Sequence, residues 1–208
     1  MGVFRSSIRL MQHSFFLEIS LEAYQLHKEL LLQLDDLKAA GGFEYKHEDM
    51  TRFIYHQEDE IRDKEDQIER EIIKVLVFLA MYCEAYIWDL AASILGDSYA
   101  KRYLDKLDPF GKWVVIPKLL FGKEIDTAHH GMGALKELIL WRNDLVHSKS
   151  RDFSDLIHKP EKYDMLIKPL REQLDIKKLM LGIKALFTML QEIDDQGAHH
   201  WRFRELDL

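Results

Sequence analysis

The chain has 208 residues, 47% of them hydrophobic, only four prolines and a formal net charge of −7 at neutral pH. This length and composition exclude an intrinsically disordered protein and favour one domain, residues 1–208, with a sizeable buried core. The negative charge argues against a surface that coats nucleic acid without specificity.

The cellular location of the protein is indicated by its single cysteine and by one apolar segment. Cys83 is the only cysteine, which excludes an intramolecular disulfide and a cysteine-based zinc site and fits a reducing, cytoplasmic compartment. Residues 1–10 contain two arginines and no apolar block, so we expect no secretory signal. Residues 75–95 are long enough to span a bilayer, but Glu84 and Asp89 lie near their centre. We therefore expect a buried helix of a soluble protein and no membrane association.

The first half of the chain is predicted to be helical. Residues 14–40 carry apolar side chains near helical spacing, and a Gly-Gly pair follows them as a stop. Residues 47–95 contain no Gly or Pro, which predicts one very long helix or two abutting helices. Within it, residues 58–71 are densely charged and are expected to be solvated. Residues 75–95 are apolar all round, which is typical of the central helix of a bundle.

Shorter elements are predicted after Gly96. Residues 99–107 form a short helix. Residues 113–116 could form a strand, but we prefer a helical or irregular connector because no second strand is predicted to pair with them. Residues 122–133 form a loop, and the helix that carries residues 135–147 follows it.

The last quarter of the chain mixes polar and helical segments. Residues 148–169 are polar and contain two prolines, and a short helix is compatible with residues 161–167. Residues 175–194 form a clear amphipathic helix. Residues 197–208 show no period.

Together these elements predict an all-α protein. We expect an up-and-down bundle of four to five helices with a long central helix and an additional amino-terminal helix. The amino-terminal helix belongs to residues 1–46, the bundle core to residues 47–195 and the tail to residues 196–208.

An arginine interrupts the apolar stripe of the late helix. At about 100° per residue, five apolar residues share one face: Leu135, Leu138, Ile139, Leu145 and Val146. Arg142 falls in the middle of this face. Because taking a guanidinium out of water is costly, a core-facing Arg needs an acidic partner or a bound anion.

Two further polar residues stand beside that arginine. Asn143 and His147 are four residues apart, so they share one helix face. His147 alone is equally well explained as a C-terminal histidine favoured by the helix dipole. In a straight helix Arg142 and His147 point about 140° apart. Either Arg142 reaches round with its long side chain, or a second copy of the helix completes the site.

A carboxylate on the central helix is the candidate partner. Glu84 and Asp89 are the only formal charges in residues 75–95, so at least one of them is expected to be buried and compensated. Glu84 lies deeper in the run, and our preferred arrangement has it orient Arg142 or His147. Two alternatives remain: Glu84 faces a wet groove, or it pairs with Arg142 only to fix core geometry.

The charge is unevenly distributed along the chain. Residues 44–71 hold eleven acids against five bases, whereas residues 98–151 hold ten bases against six acids. The segment around Arg142 is therefore locally basic, which permits a phosphate ligand there.

No metal or cofactor is expected. The pairs His129-His130 and His199-His200 are adjacent residues whose side chains diverge, and no histidine falls in a zinc-binding pattern. The sequence also contains no phosphate-cradling glycine-rich loop and no dinucleotide-binding fingerprint.

Three segments resemble the HEPN (higher eukaryotes and prokaryotes nucleotide-binding) superfamily. Residues 142–147, Arg-Asn-Asp-Leu-Val-His, resemble its Arg-Asn-x-x-x-His signature at the end of a late helix. Residues 107–118 resemble the connector before that helix, and the helix that ends at residues 85–90 is similar to the family's central helix. The likeness in sequence covers residues 72–150, and the remainder of the chain resembles the family only in its predicted helical architecture.

The resemblance implies a homodimeric bundle in which the signature helices of two protomers meet at a cleft. Many such proteins are metal-independent endoribonucleases of defence or toxin–antitoxin systems, leaving 2′,3′-cyclic phosphate ends. Carried onto this chain, His147 is expected to act as general acid or base, Arg142 to hold the scissile phosphate and Asn143 to orient the pair, with Glu84 in support.

The same resemblance leaves a second class of function open. Some members keep the fold without cleaving RNA, so the alternative is a non-catalytic helical module that binds a nucleotide or a protein partner. The expected partners are therefore RNA, a second copy of the chain and an antitoxin protein.

Overall fold

The computed structural model describes the backbone of residues 3–47, 50–146 and 168–194, and the side chains of these ranges from residue 13 onward except residues 47 and 50. The described residues form seven α-helices, one π-helical segment and one two-stranded sheet. In chain order the elements are α1 (Val3–Ala39), β1 (Gly42–His47), β2 (Met50–Tyr55), α2 (Glu58–Leu95), α3 (Asp97–Tyr99), the π-helical segment (Ala100–Leu104), α4 (Pro109–Phe121), α5 (His130–Val146), α6 (Leu170–Gln173) and α7 (Ile176–Ile193). The predicted all-α helical bundle is confirmed.

The two longest helices, α1 and α2, pack side by side and antiparallel. His13 near the start of α1 contacts Asp89 near the end of α2, at 2.9 Å between Nδ1 and Oδ2. Lys38 at the end of α1 contacts Glu65 in the first half of α2, at 3.0 Å between Nζ and Oε1. The predicted long central helix is therefore a single helix of 38 residues.

The start of that long helix was predicted wrongly. The sequence prediction placed helix from residue 47, whereas residues 42–55 form an antiparallel β-hairpin and α2 begins at Glu58. Aromatic and β-branched residues such as Phe53 and Ile54 favour the extended strand, and the absence of Gly and Pro does not by itself specify a helix. Three acids in the first turn of α2 suit the positive end of its dipole.

The core lies around the second half of α2. Its side chains Ile72, Leu76 and Leu79 have no solvent exposure. Trp113 of α4 is also fully buried, and its indole N–H donates to the carbonyl oxygen of Cys83 at 3.2 Å. The Trp113 ring lies edge-on to Phe187 of α7, with centroids 5.2 Å apart. Central packing of α2, as the sequence predicts, is thus observed.

The connector at residues 113–116 is helical. It belongs to α4, whose N-cap Asp108 accepts a hydrogen bond from the backbone N–H of Gly111 at 3.0 Å. Pro109 at the first helical position is compatible with this start, because its missing N–H has no intrahelical partner in any case. Pro117 inside the helix removes one backbone hydrogen bond, and α4 continues past it to Phe121.

Close backbone approach fixes α5 against α7. A Cβ added at Gly182 of α7 would lie 2.4 Å from the Cβ of Ala134 on α5. A Cβ added at Gly131 of α5 would lie 2.6 Å from the backbone nitrogen of Leu186. Because both positions lack a side chain, the first half of α5 lies directly on α7, and this contact sets the direction in which the end of α5 points.

One described helix is long and apolar enough to cross a membrane by length and composition, and it is α2. Of its most apolar window, 56% is buried inside the protein. This burial is what the core helix of a soluble protein shows.

Candidate functional site

The burial of α5 decreases toward its end, where the candidate residues lie. Leu135 and Leu138 are buried, whereas Ile139 and Leu145 are only partly buried and Val146 is 51% exposed. Ile139 and Leu145 still pack against the core, so the predicted apolar stripe remains a core contact up to Leu145, and only Val146 at its end is exposed.

Arg142 is partly buried and is held by its neighbour. Its Nη1 donates to the Oδ1 of Asn143 at 2.9 Å. Within the described ranges, no carboxylate lies at ion-pair distance from this guanidinium. A neutral amide oxygen orients the guanidinium without cancelling its charge, so the group can still bind an anion.

The third member of the predicted cluster lies outside the described residues. His147 directly follows Val146, the last residue of α5. The structure therefore brings Arg142 and Asn143 together, and the position of His147 relative to them stays a prediction.

Glu84 forms an ion pair with Lys112, which no sequence pattern marks as its partner. Its Oε1 accepts a hydrogen bond from Nζ of Lys112 on α4 at 2.8 Å. The Lys112 side chain is 5% exposed, while that of Glu84 is 39% exposed. The ion pair joins α2 to α4, and Arg142 is not part of it.

Of the two acids in residues 75–95, Asp89 is more buried than Glu84. The Asp89 side chain is 18% exposed, and its Oδ2 lies 2.9 Å from Nδ1 of the buried His13 on α1. The His13 ring also contacts the rings of Tyr82 and Tyr86, at centroid distances of 6.0 and 5.2 Å. This His–Asp pair is enclosed by protein, which suits a contact that holds α1 on α2. The sequence indicates a buried, compensated acid at Glu84 or Asp89, but it does not indicate that His13 is the partner.

The described residues contain no group of three or more His, Cys, Asp or Glu side chains placed to hold a metal ion. His129 and His130 lie at the start of α5 with ring centroids 4.2 Å apart, so the expectation that their side chains diverge is wrong. Nδ1 of His129 accepts a hydrogen bond from the backbone N–H of Gly131 at 3.2 Å. His129 thus serves the first turn of α5. The pair His199-His200 lies outside the described residues.

A cavity of about 610 Å³ lies away from α5, between α1 and the segment that joins α6 to α7. Its wall includes His27, whose buried Nδ1 has no hydrogen-bond partner, and burial lowers the pKa of this imidazole. Three basic residues and two acids are among the charged lining residues: Lys28, Arg171, Lys177, Glu172 and Asp175. Because Arg171 is already paired with Glu65 and Glu69 and the lining carries both signs of charge, it favours no single class of ligand. No pattern in the sequence indicates this cavity.

Comparison with known proteins found no matching family model, no matching curated protein and no matching solved structure. The likeness to the HEPN superfamily is therefore a likeness of sequence motifs.

Proposed function

We propose that this protein is a metal-independent endoribonuclease whose site is formed by Arg142, Asn143 and His147 where two copies of α5 meet. The observation that carries the proposal is the state of Arg142. Its guanidinium is partly buried and held by a neutral oxygen, and no described carboxylate neutralises it. A phosphate is a suitable partner for this group, because it is negatively charged and accepts the parallel hydrogen bonds that a guanidinium offers.

The proposed chemistry is an internal transfer on RNA. One imidazole of His147 removes the proton of a ribose 2′-hydroxyl, and the 2′-oxygen attacks the adjacent phosphorus. The bond from phosphorus to the 5′-oxygen breaks, and a second imidazole returns a proton to that leaving oxygen. Arg142 binds the phosphate oxygens, whose charge is stabilised most in the transition state. The products carry a 2′,3′-cyclic phosphate and a 5′-hydroxyl.

A second copy supplies the second imidazole in this scheme. Support comes from the surface at the end of α5, where Val146 lies one helical turn after Arg142 and is half exposed. An apolar side chain beside a charged group is suited to a two-fold contact. Two copies also remove the geometric problem that Arg142 and His147 of one helix diverge by about 140°.

The test is cleavage of mixed RNA by the purified protein in the presence of EDTA. We expect His147→Ala and Arg142→Ala each to lower the cleavage rate by about 100-fold or more. Lys136→Ala is the matched control, because it removes one positive charge from an exposed position of the same helix. The proposal fails if the unmutated protein and His147→Ala cleave at the same rate, or if products lack cyclic phosphate ends.

The second candidate is a non-catalytic module that uses Arg142 to hold a nucleotide or a partner such as an antitoxin protein. The pairing of Glu84 with Lys112 favours it, since this pairing withdraws the acid expected to support catalysis. In that case Arg142→Ala weakens ligand retention, and expression of the unmutated protein is not toxic to cells.

A further inference from the structure

The β-hairpin projects from the helical bundle. Among the described elements, β1 and β2 pack substantially only against each other, and no third strand joins them. Three aromatic side chains of the hairpin are about half exposed: Phe43, Tyr45 and Phe53. A two-stranded hairpin of this size is marginally stable in water, and an apolar edge strand is a template for pairing with another chain.

The backbone groups at the outer edge of β1 can be assigned from the register. His56 donates its backbone N–H to the carbonyl of Gly41 at 3.1 Å, and the pairing continues with Phe43 opposite Ile54 and Tyr45 opposite Arg52. Hydrogen-bonded pairs alternate along an antiparallel ladder, so residues 41, 43 and 45 bond to β2. The N–H and C=O groups of Glu44 and Lys46 therefore point away from β2.

This outer edge is complementary to itself. When a second β1 runs antiparallel, with the two-fold axis at Tyr45, Glu44 of each copy lies opposite Lys46 of the other. The backbone groups of both residues point outward, so each such pair exchanges two backbone hydrogen bonds. Opposite charges across a strand pair stabilise it. An axis at Glu44 or at Lys46 sets like charges against each other, which favours the register centred on Tyr45.

We propose that the outer edge of β1 is a homodimerisation surface. Two hairpins join there into one four-stranded antiparallel sheet in the order β2-β1-β1-β2. Glu44 and Lys46 now lie 3.7 Å apart within one chain, but both side chains are largely exposed, and such a pair contributes little. Pairing with a second copy brings these charges into a hydrogen-bonded ladder. The surface lies on a different element from Arg142 and does not depend on the proposed ribonuclease activity.

Disulfide cross-linking tests the register directly. In the full chain, Tyr45→Cys places two thiols on the two-fold axis, in a non-hydrogen-bonded pair with Cα atoms about 4.5 Å apart, which a disulfide spans. Phe43→Cys is the matched control. It lies on the same face, but its two copies are about 14 Å apart in this register. Native Cys83 is buried and does not compete.

Under mild oxidation we expect a covalent dimer from Tyr45→Cys and not from Phe43→Cys. The proposal is overturned if Tyr45→Cys stays monomeric on a non-reducing gel, or if both variants cross-link equally.

Charge reversal supplies an independent measurement. By sedimentation we expect Glu44→Lys and Lys46→Glu each to halve the mass of the assembly, and the double variant to restore the mass of the unmutated protein. Glu44→Pro should act like the single reversals, because it removes an outward N–H that the hairpin itself does not use. A contact through α5 about the same two-fold axis would hold the dimer together, so the hairpin variants are also compared in a Val146→Lys background, which disrupts that contact. In that background, masses that are the same with and without the four hairpin changes contradict the proposal.

Discussion

The pairing of Glu84 with Lys112 predicts an unequal response to the loss of each partner. Lys112 is 5% exposed and Glu84 is 39% exposed, and their Nζ and Oε1 atoms lie 2.8 Å apart. Glu84→Ala leaves a buried ammonium without its counter-charge, whereas Lys112→Met leaves a carboxylate that water already reaches. We therefore expect the first change to lower the free energy of unfolding more than the second.

The size of the effect follows from the exposure of the two side chains. Breaking a fully buried ion pair from one side costs about 3–5 kcal/mol. Because Glu84 is more than one third exposed, water can enter its place beside Lys112, and we expect Glu84→Ala to cost about 1–3 kcal/mol. Met keeps an unbranched chain of similar volume, so Lys112→Met should cost less than about 1 kcal/mol.

Urea unfolding of the two single variants and the double variant forms a closed cycle. We expect Lys112→Met to rescue Glu84→Ala, so that the double variant is more stable than Glu84→Ala alone. RNA cleavage measured on the same proteins then separates the roles of Glu84: a loss that the double variant restores is structural, and a loss that persists is catalytic. Additive single effects, or a Glu84→Ala cost below about 0.5 kcal/mol, would refute the reasoning.

Two further predictions concern the packing of α5 and a buried imidazole. Gly182→Ala places a Cβ 2.4 Å from that of Ala134, so α5 must shift, and we expect the free energy of unfolding to fall by about 1–3 kcal/mol. Gly133→Ala is the control, because a Cβ at that position meets open space, and equal melting temperatures for the two variants contradict the prediction. Burial lowers the pKa of His27 below 6.5, and the charges of Glu69 and Glu71 oppose this shift. As the pH falls below 6.5, the unfolded chain therefore binds more protons than the folded protein, and the free energy of unfolding declines until the pH reaches the folded-state pKa of His27. In urea titrations at several pH values, the free energy of unfolding of His27→Gln should decline less steeply with falling pH than that of the unmutated protein, by up to about 1.4 kcal/mol per pH unit. An unchanged pH dependence would contradict the assignment.

Local patterns predicted most of the helical elements. The final helix was expected over residues 175–194, and α7 spans Ile176–Ile193 with Asp175 accepting a hydrogen bond from the backbone N–H of Lys178 at 2.9 Å. The first helix is predicted over residues 14–40; α1 ends at Ala39 as expected, but it begins at Val3, eleven residues before the predicted start. These predictions succeed because apolar spacing and capping residues act within one or two turns.

The hairpin shows where local patterns failed. A 49-residue stretch without Gly or Pro indicated helix throughout, yet its first part pairs with the strand that precedes it. Pairing of residues 42–47 with residues 50–55 is decided by cross-strand contacts, which a helical template does not test.

By itself, the sequence determined that the chain is a helical bundle, that α2 is its apolar centre, and that Arg142 and Asn143 stand together near the end of a late helix. These features follow from side chains that are neighbours along the chain. Only the tertiary structure decided that Glu84 pairs with Lys112, that Asp89 pairs with His13, and that the burial of α5 decreases toward Arg142. The physical reason is that charge pairing and burial depend on distances between segments, and those distances exist only after the helices have packed.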